Sequence, residues 1–492
     1  MALLGIDLGT SSVKVMVLDT QGRILSLSKA HYAVLKPQPA WRESDPQEWW
    51  SATISAVHRA LAKIPQAGIK AIGLSGQMHG VVLSDEQGLP VRPALLWADT
   101  RAQAELERYR RLPASLQACL ANPLTPGMAG PMLCWLAEHE AHRYQQARWA
   151  LQPKDWLRLQ LTGEVATDPS DASATLLYDL LADRWAEEVI AALNLKRHLL
   201  PPIRSSQASA GRLSIRAAHL LGLPAELPVA TGAADTAAAA LGTGLLATGP
   251  IQLTLGSGAQ FVQISEPRID PAGRTHLYRA ADGVNWYTLA AVQNAGLALD
   301  WVREILQATW DEVYASAALP PAADGPLFLP YLTGERPHHP LPSSRGAFLG
   351  LCSDHRREQL LHATLEGVAF GLRIACAALS AASSTATLHL AGGGSEHPAW
   401  RQLLADILNR ELLAVDTPAA SARGAALLGG IAGGTWIDAQ ATAAIAPHAS
   451  LIATPQAERV AVYEQIYARH LECLNDLSHQ RSPLSRAGEP GR

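Results

Sequence analysis

The first apolar stretches of the chain follow the pattern of a β-meander. Three apolar runs, ALLGIDL, VKVMVLD and ILSLSKA, are separated by the polar turns GTSS and TQGR. Apolar runs joined by such short turns predict hairpins. The pattern then becomes helical over residues 45–64, where apolar side chains recur at helical spacing after an Asp-Pro start. AIGLSG, at residues 71–76, predicts a short strand.

A similar pattern begins again after residue 225. LPVATGAADTAAAALGTG predicts a strand, a turn and an alanine-rich helix, and PIQLTLGSGAQFVQIS predicts a second strand–turn–strand unit. This second hairpin repeats the plan of the first, so we expect two similar halves. TLHLAGGG predicts a further strand. Other helices are predicted at PMLCWLAEHEAHRYQQA, at PKDWLRLQLTG, and over residues 290–307, 356–380, 398–410, 422–434 and 454–478.

Length and composition fit this two-part plan. A chain of 492 residues with 48% hydrophobic residues is expected to fold into two or more globular domains. We place the halves at residues 1–245 and 246–478. Residues 479–492 are polar and rich in Pro and Gly, and they predict a flexible tail.

Charge and cysteine content exclude several classes of protein. A net charge of −4 argues against a nucleic-acid-binding face and against attachment to an anionic membrane. The five cysteines form no CxxC pair, which disfavours a disulfide framework or a zinc site and suits a reducing cytoplasm. Asp7 interrupts the first apolar run, so we expect no signal peptide, and no apolar stretch predicts a membrane span.

The stretch GIDLGTSSVK, residues 5–14, has the composition of a phosphate-binding loop. It lacks the Walker pattern, and it joins two strands rather than a strand and a helix. Glycine lets backbone approach a phosphate, and hydroxyl and N–H groups donate to its oxygens. A carboxylate at Asp7 would repel a bare phosphate, so we expect it to hold Mg²⁺ through water. The alternative is a tight hairpin in which Asp7 hydrogen-bonds its own turn. The predicted nucleotide-binding residues of this loop are Gly9, Thr10, Ser11, Ser12 and Lys14.

TGAADTAAAA, residues 231–240, places Asp235 where a strand ends and a helix begins. In a crevice between halves, such a carboxylate can accept a proton from a hydroxyl that attacks a γ-phosphate. It could also contact a metal ion. The alternative is an N-cap, because Asp is among the best capping residues. Small neighbours leave room for a substrate, and Thr236 is a candidate contact to it.

Two further motifs suit a polyol. GLSGQMHG offers Met78 and His79 after a predicted strand, and LLWADTR offers Trp97, Asp99 and Arg101. A histidine could hydrogen-bond sugar hydroxyls while methionine packs on the carbon chain. The alternatives are a structural histidine and an ordinary loop containing an Asp–Arg pair.

Glycines in the second half indicate the remainder of a nucleotide site. Gly256 and Ser257 lie in the second hairpin turn and could hold another part of the same nucleotide. A strand runs into Gly392, Gly393 and Gly394, where adenosine could lie against backbone; a turn without a ligand is the alternative. The adjacent His338 and His339 lack zinc-ligand spacing, and we reject a zinc site there.

Together, these motifs resemble the FGGY family of carbohydrate kinases, from GIDLGTSSVK to SARGAALLGG in the family's order. GAFLGLCSDHRREQLLHATLE is similar to the family's second signature, and GQMHG, LLWADTR, PKDWLRLQLTGE and DPSDAS look most like the xylulose kinases. The resemblance implies an α/β, two-domain actin-like ATPase (ribonuclease H-like) fold with an interdomain cleft. Residues 1–245 would hold the sugar and the first phosphate loop, and residues 246–478 the nucleotide.

The resemblance also implies a reaction, the Mg²⁺- and ATP-dependent phosphorylation of D-xylulose to D-xylulose 5-phosphate. It makes Asp235 the catalytic base and Asp7 the acid of the first phosphate loop. It assigns the sugar to Met78 and His79, phosphate to Gly256 and Ser257, and adenosine to residues 392–394. A homodimer is one expected assembly.

The chain departs from the family at Ala233, Ala234, Thr236 and Ala259. Another kinase of the family, acting on ribulose, glycerol, gluconate or a deoxysugar, is therefore an alternative. An actin-like or chaperone-like ATPase is a second alternative, although it would need no substrate base at residue 235.

Overall fold

A computed structural model describes residues 1–64, 68–334, 346–380, 387–392 and 396–479 of the chain. The arginine and histidines of the ERPHH segment, the second and third glycines of the AGGG turn and the tail beyond residue 479 lie outside the described residues. The elements are numbered in chain order.

Among its described residues, the first half of the chain contains one seven-stranded mixed sheet, three two-stranded sheets and the helices packed around them. Its strands are β1 (Ala2–Leu8), β2 (Ser12–Asp19), β3 (Ile24–His31), β4 (Glu43–Ser44), β5 (Ile69–Gly76), β6 (Val82–Ser84), β7 (Ala94–Leu95), β8 (Trp149–Leu151), β9 (Tyr178–Asp179), β10 (Arg184–Trp185), β11 (Ser209–Arg212), β12 (Pro228–Ala230) and β13 (Ala233–Ala234). Its helices are α1 (Pro46–Leu61), α2 (Leu106–Arg110), α3 (Ala114–Leu120), α4 (Ala129–His139), α5 (Ala141–Gln146), α6 (Pro153–Thr162), α7 (Pro169–Ala172), α8 (Glu187–Ala192), α9 (Ile215–Leu221) and α10 (Asp235–Thr243).

The second half repeats this mixed arrangement. Its strands are β14 (Ile251–Leu255), β15 (Ala259–Ser265), β16 (His276–Arg279), β17 (Trp286–Val292), β18 (Leu327–Leu329), β19 (Ala347–Leu349), β20 (Thr387–Ala391), β21 (Glu411–Val415) and β22 (Ala449–Ala453). Its helices are α11 (Gly296–Ile305), α12 (Trp310–Ser316), α13 (Arg357–Ser380), α14 (Pro398–Leu408), α15 (Ala420–Ala432) and α16 (Ala457–His479).

The two main sheets share one topology. In the first, the described strands follow the order β11-β12-β5-β1-β2-β3, with β13 also paired to β5. In the second, the order is β16-β17-β15-β14-β20-β21-β22. Each sheet contains an antiparallel three-strand unit (β1, β2 and β3, or β14, β15 and β17), and a parallel neighbour lies beside its first strand, β5 or β20. Both hairpins therefore direct their turns toward the carboxyl ends of those parallel strands.

Helix α15 connects the two halves. It lies directly against β1 and β5 of the first sheet, where a Cβ at Gly5 would stand 2.0 Å from the carbonyl oxygen of Ala422. A Cβ at Gly73 would stand 1.7 Å from the carbonyl oxygen of Ala425. Because only hydrogen fits there, the helix backbone reaches the strands without intervening side chains.

Three predicted elements differ from the structure. The predicted helix over residues 290–307 is wrong at its start, because residues 286–292 form β17, which pairs with β15, and α11 begins at Gly296. PMLCWLAEHEAHRYQQA forms two helices, α4 and α5, that meet at Glu140, whose φ of −128° is not helical. The last helix begins at Ala457, after Pro455.

Among the described residues, α13 from Arg357 to Leu379 is long and apolar enough to cross a membrane. Most of its apolar stretch is buried inside the protein, as in the core helix of many folded domains.

Gly73→Ala should destabilise the protein, because the new methyl group would overlap the α15 backbone. Overpacking against backbone that cannot move aside should cost about 3 kcal/mol, measured by thermal and denaturant-induced unfolding. Gly68→Ala is the matched control, because nothing lies within 4 Å of a Cβ there. Equal stability of the two variants would contradict the close packing of α15.

Candidate active site

The first phosphate loop follows β1 and places Asp7 at its base. Asp7 pairs in register with Lys14 on β2 and with Ser75 on β5. The Ser75 hydroxyl donates to Asp7 Oδ1 at 2.9 Å, so this hydrogen bond comes from the neighbouring strand rather than from the turn. Burial raises the pKa of Asp7, while the Lys14 charge and the Ser75 hydrogen bond oppose that rise.

The turn of this loop is held by backbone and by a tyrosine. The Gly9 N–H donates to the carbonyl of Ser12 at 3.0 Å, and the Tyr32 hydroxyl donates to the carbonyl of Gly9. Ser11 is exposed, while Thr10 and Lys14 are half-buried. Ser11 and, in part, Thr10 thus present their hydroxyls at the surface, as a phosphate loop requires, whereas Ser12 is buried.

Asp235 is the first residue of α10, and Ala234 occupies the N-cap position. Its Oδ1 accepts hydrogen bonds from the Thr236 N–H at 2.6 Å and from the Thr236 hydroxyl at 3.2 Å. Burial and the nearby Asp7 charge raise the pKa of Asp235 to about 7, although Thr236 and Lys14 act in the opposite direction. The two carboxylates predicted from separate motifs are therefore neighbours, and Asp235 can exchange a proton near neutral pH.

Met78 and His79 follow directly after β5. His79 adopts a left-handed backbone with φ of 72°, and its Nδ1 lies 2.7 Å from the carbonyl oxygen of Ala174. Met78 is buried, and the Tyr287 hydroxyl donates to its sulfur at 3.8 Å. Tyr287 belongs to β17 of the second half. Its pKa is raised well above the usual value by burial and then by nearby groups that include Tyr278 and Asp235.

Trp97 joins the same region, because its indole N–H donates to the Thr10 hydroxyl at 2.9 Å while the ring stays half exposed. Asp99 and Arg101 are instead buried and paired. Arg101 Nη2 lies 2.8 Å from Asp99 and 2.7 Å from Glu43. Asp99 and Arg101 thus form the Asp–Arg pair that was the alternative interpretation of this motif. A direct contact of either residue with substrate stays a prediction.

The second hairpin presents a matching loop. The Gly256 N–H donates to the carbonyl of Gly258 at 2.9 Å, and Ser257 is exposed. The first turn of α11 supports this loop from behind, since the Gly296 N–H donates to the carbonyl of Gly256 at 3.1 Å. Gly392 ends β20 with φ of 92°, and a Cβ there would stand 2.4 Å from the carbonyl oxygen of Leu255. The structure thus joins Gly392 to the second loop, while Gly393 and Gly394 are not described.

Sequence reasoning missed several residues of this site. Ser75 lies inside a predicted strand, and its contact to Asp7 depends on the pairing register of β1 and β5. Gln77 stands next to the sugar motif, and its side-chain amide donates to the carbonyl of Gly9 at 3.2 Å. Tyr287 lies in β17, of which only the last three residues fell in the predicted helix over residues 290–307. Of these residues, only Gln77 could have been found from the sequence, because it stands beside Met78 and His79 in the same motif.

The donor set around Asp7 suits a hard cation. Two carboxylates, Asp7 and Asp235, lie close enough for the charge of one to raise the pKa of the other. Mg²⁺ prefers oxygen ligands and commonly keeps water between itself and a carboxylate. These residues therefore fit a Mg²⁺–nucleotide complex. Among the described residues, the one group of three acidic or histidine side chains whose possible ligand atoms all lie within 4.8 Å of one another is Glu105, Glu138 and His139, and it lies mostly at the surface.

Comparisons with known proteins agree on one family. The N-terminal domain of the FGGY family of carbohydrate kinases matches residues 2–242, and its C-terminal domain matches residues 253–433. A xylulose kinase of Escherichia coli is 34% identical over 83% of this chain and 85% of its own length. A gluconokinase of Bacillus subtilis is 28% identical over 87% of this chain and 86% of its own length.

A solved structure from Brucella ovis, described as a xylulose kinase, has a TM-score of 0.90 and 33% identity to this chain. The match covers 97% of this chain and 99% of the chain in that structure. The predicted two-domain, actin-like ATPase fold is thereby confirmed. The matches to both domains, over residues 2–242 and 253–433, lead to one assignment: the chain belongs to the FGGY family of carbohydrate kinases.

Proposed function

We propose that this protein phosphorylates D-xylulose with ATP to give D-xylulose 5-phosphate. The observation that carries the proposal is the position of Asp235 at the start of α10, where burial and the nearby Asp7 charge raise its pKa to about 7. Relatives described as xylulose kinases, at 34% and 33% identity, support the choice of sugar.

In the proposed reaction, Asp235 is the general base. Its Oδ1 is held by Thr236, so Oδ2 is the oxygen that receives the proton of the terminal sugar hydroxyl. The hydroxyl oxygen forms a bond to the γ-phosphorus, and the bond from that phosphorus to the β,γ-bridging oxygen breaks. ADP leaves with the electron pair.

The two hairpin loops hold the phosphates in this proposal. Backbone N–H and hydroxyl groups of residues 9–12 and 256–257 would surround the transferred group from opposite halves. Mg²⁺, when bound through Asp7 and water, would offset the negative charge that builds up on the phosphates. Closure of the halves would exclude water that otherwise competes with the sugar.

The second candidate function is phosphorylation of another sugar, a sugar acid or a polyol. The observation behind it is Thr236, which stands where the family carries an amide and whose described side-chain bond goes to Asp235. The gluconokinase relative adds weight to this alternative. The third candidate function is that of an ATPase that acts without any sugar.

ADP release in a coupled assay is expected to depend on added D-xylulose and to exceed the rates with D-ribulose, glycerol and D-gluconate. The physical reason is that a bound sugar hydroxyl must accept the phosphoryl group before turnover occurs. A higher kcat/KM for gluconate would establish the second candidate. ADP release that no sugar stimulates would leave the sugar-independent ATPase.

Asp235→Asn should lower kcat by about 10²- to 10⁴-fold while ATP binding is kept, because the amide cannot accept the proton. The base works as a carboxylate, which is lost as the pH falls through a pKa of about 7. The kcat/KM of the wild-type protein should therefore drop below that pH, and the residual activity of Asp235→Asn should lack this acid limb. A variant with wild-type turnover would contradict the role of Asp235.

Asp7→Asn should raise the Mg²⁺ concentration for half-maximal activity by about tenfold or more, while the KM for the sugar stays close to wild type. The amide keeps the Ser75 hydrogen bond but removes the charge that would hold hydrated Mg²⁺. Asp19→Asn is the matched control, since Asp19 ends the same hairpin at its other side and binds Arg23. A change in sugar KM without a change in Mg²⁺ dependence would assign Asp7 to the sugar instead.

A further inference from the structure

A fully buried ionic cluster lies behind the base. We call it the Lys154 cluster: Lys154, Asp155, Arg158, Asp168 and Asp171. We propose that this cluster, acting through the Ser170 hydroxyl, positions Asp235 for proton transfer. The inference rests on the proposed function of Asp235.

The cluster is centred on one ammonium group. Lys154 Nζ lies 2.6 Å from Asp155, 2.8 Å from Asp168 and 3.0 Å from Asp171, and all four side chains are fully buried. The three carboxylates raise the pKa of Lys154 against the effect of burial, so the lysine stays charged. Separating buried ion pairs is costly because it leaves an uncompensated charge in the protein interior. The side chains of such a cluster are therefore held in fixed positions and can support neighbouring segments.

The cluster reaches the segment before Asp235 at two points. Arg158, which pairs with Asp155 at 2.9 Å, donates to the carbonyl of Thr231 at 2.8 Å. At the other end, the Ser170 hydroxyl accepts the N–H of Ala234 at 2.9 Å. The short segment from residue 231 to residue 234 is thus fixed at both ends, directly before the base.

Ser170 transmits the charge of the cluster to this segment. Its hydroxyl donates to Asp168 Oδ2 at 2.5 Å while it accepts from Ala234, so it is a bridge between carboxylate and backbone. Hydrogen bonds to charged groups are stronger than neutral ones. Because Ala234 is the N-cap of α10, its N–H fixes where the helix and its first residue, Asp235, begin.

The same cluster also contacts the sugar motif. A Cβ at Gly76, the last residue of β5, would stand 2.9 Å from Cβ of Lys154, so Lys154 packs on the strand end that leads to Met78. After α7, the carbonyl of Ala174 contacts His79. The cluster therefore spans the distance between the base and the sugar-binding residues. A shift of about 1 Å between reacting groups can lower a rate about 10²-fold.

Ser206 offers a matched control. Its buried hydroxyl donates to the same oxygen, Asp168 Oδ2, at 2.7 Å. Among the described residues, however, only the Ser170 hydroxyl also accepts the Ala234 N–H. Ser170→Ala and Ser206→Ala thus remove the same kind of bond to the cluster, but only the first releases the segment before the base.

Ser170→Ala should lower kcat by about 10- to 100-fold with an unchanged KM for ATP. Ser206→Ala should keep a kcat close to wild type and lose less thermal stability than Ser170→Ala, which also removes the acceptor of the buried Ala234 N–H. The assay uses the sugar on which the wild-type protein is most active, so a wrong choice of sugar does not affect the comparison. Equal kcat for the two variants, or a wild-type kcat for Ser170→Ala, would overturn the proposal.

Two further variants keep the test decisive if Ser170→Ala does not fold. Ser170→Thr keeps the hydroxyl and adds a methyl group, whereas Ser170→Cys replaces the hydroxyl with a somewhat larger thiol that is a weaker acceptor. The kcat of Ser170→Thr should exceed that of Ser170→Cys, whereas equal values would overturn the positioning role. A wild-type protein that is inactive on every sugar would instead overturn the proposed function itself.

Discussion

The structure depends on the direct contact between the backbone of α15 and three elements of the first half. Glycines make this contact possible: Gly5 and Gly73 face the helix from β1 and β5, and a Cβ at Gly424 would stand 1.8 Å from the carbonyl oxygen of Ala238 on α10. β1 carries Asp7, β5 carries Ser75 and α10 carries Asp235. A helix from the second half therefore sets the spacing of the groups that make up the candidate site, and close-packed interiors transmit any change in that spacing.

This packing has an electrostatic consequence. It buries Asp7 and holds it close to Asp235, and burial together with the repulsion between them raises the pKa of Asp235 to about 7. Lys14 and the Ser75 hydrogen bond stabilise the charged form of Asp7, and the Thr236 hydrogen bonds and Lys14 stabilise the charged form of Asp235. The two acids are thereby suited to different tasks. Asp7 is the better partner for a cation, and Asp235 the better acceptor of a proton.

Much of the fold could be predicted because its signals are local. Both hairpins, the helix after Asp45 and the start of α10 follow from apolar spacing and turn residues close together in sequence. The helix predicted over residues 290–307 was wrong only at its start, because pairing of β17 with β15 outweighed the local pattern there. The site was predictable only where a motif contained its residues. Ser75, Tyr287 and Ser170 are brought to it by strand register and by packing between distant segments, which a single sequence does not reveal.

Thr236 shows how a departure from the family can leave the chemistry intact while shifting recognition. Its N–H and hydroxyl both bond to Oδ1 of Asp235, so the other oxygen stays available to a substrate. A threonine engaged in this way contributes less to the sugar than a longer amide would. In the proposed reaction, sugar selectivity would then depend more on Met78 and His79, and Tyr287 contacts Met78 through a hydrogen bond to its sulfur. Because Tyr287 comes from the second half, sugar binding would then be coupled to the relative position of the two domains.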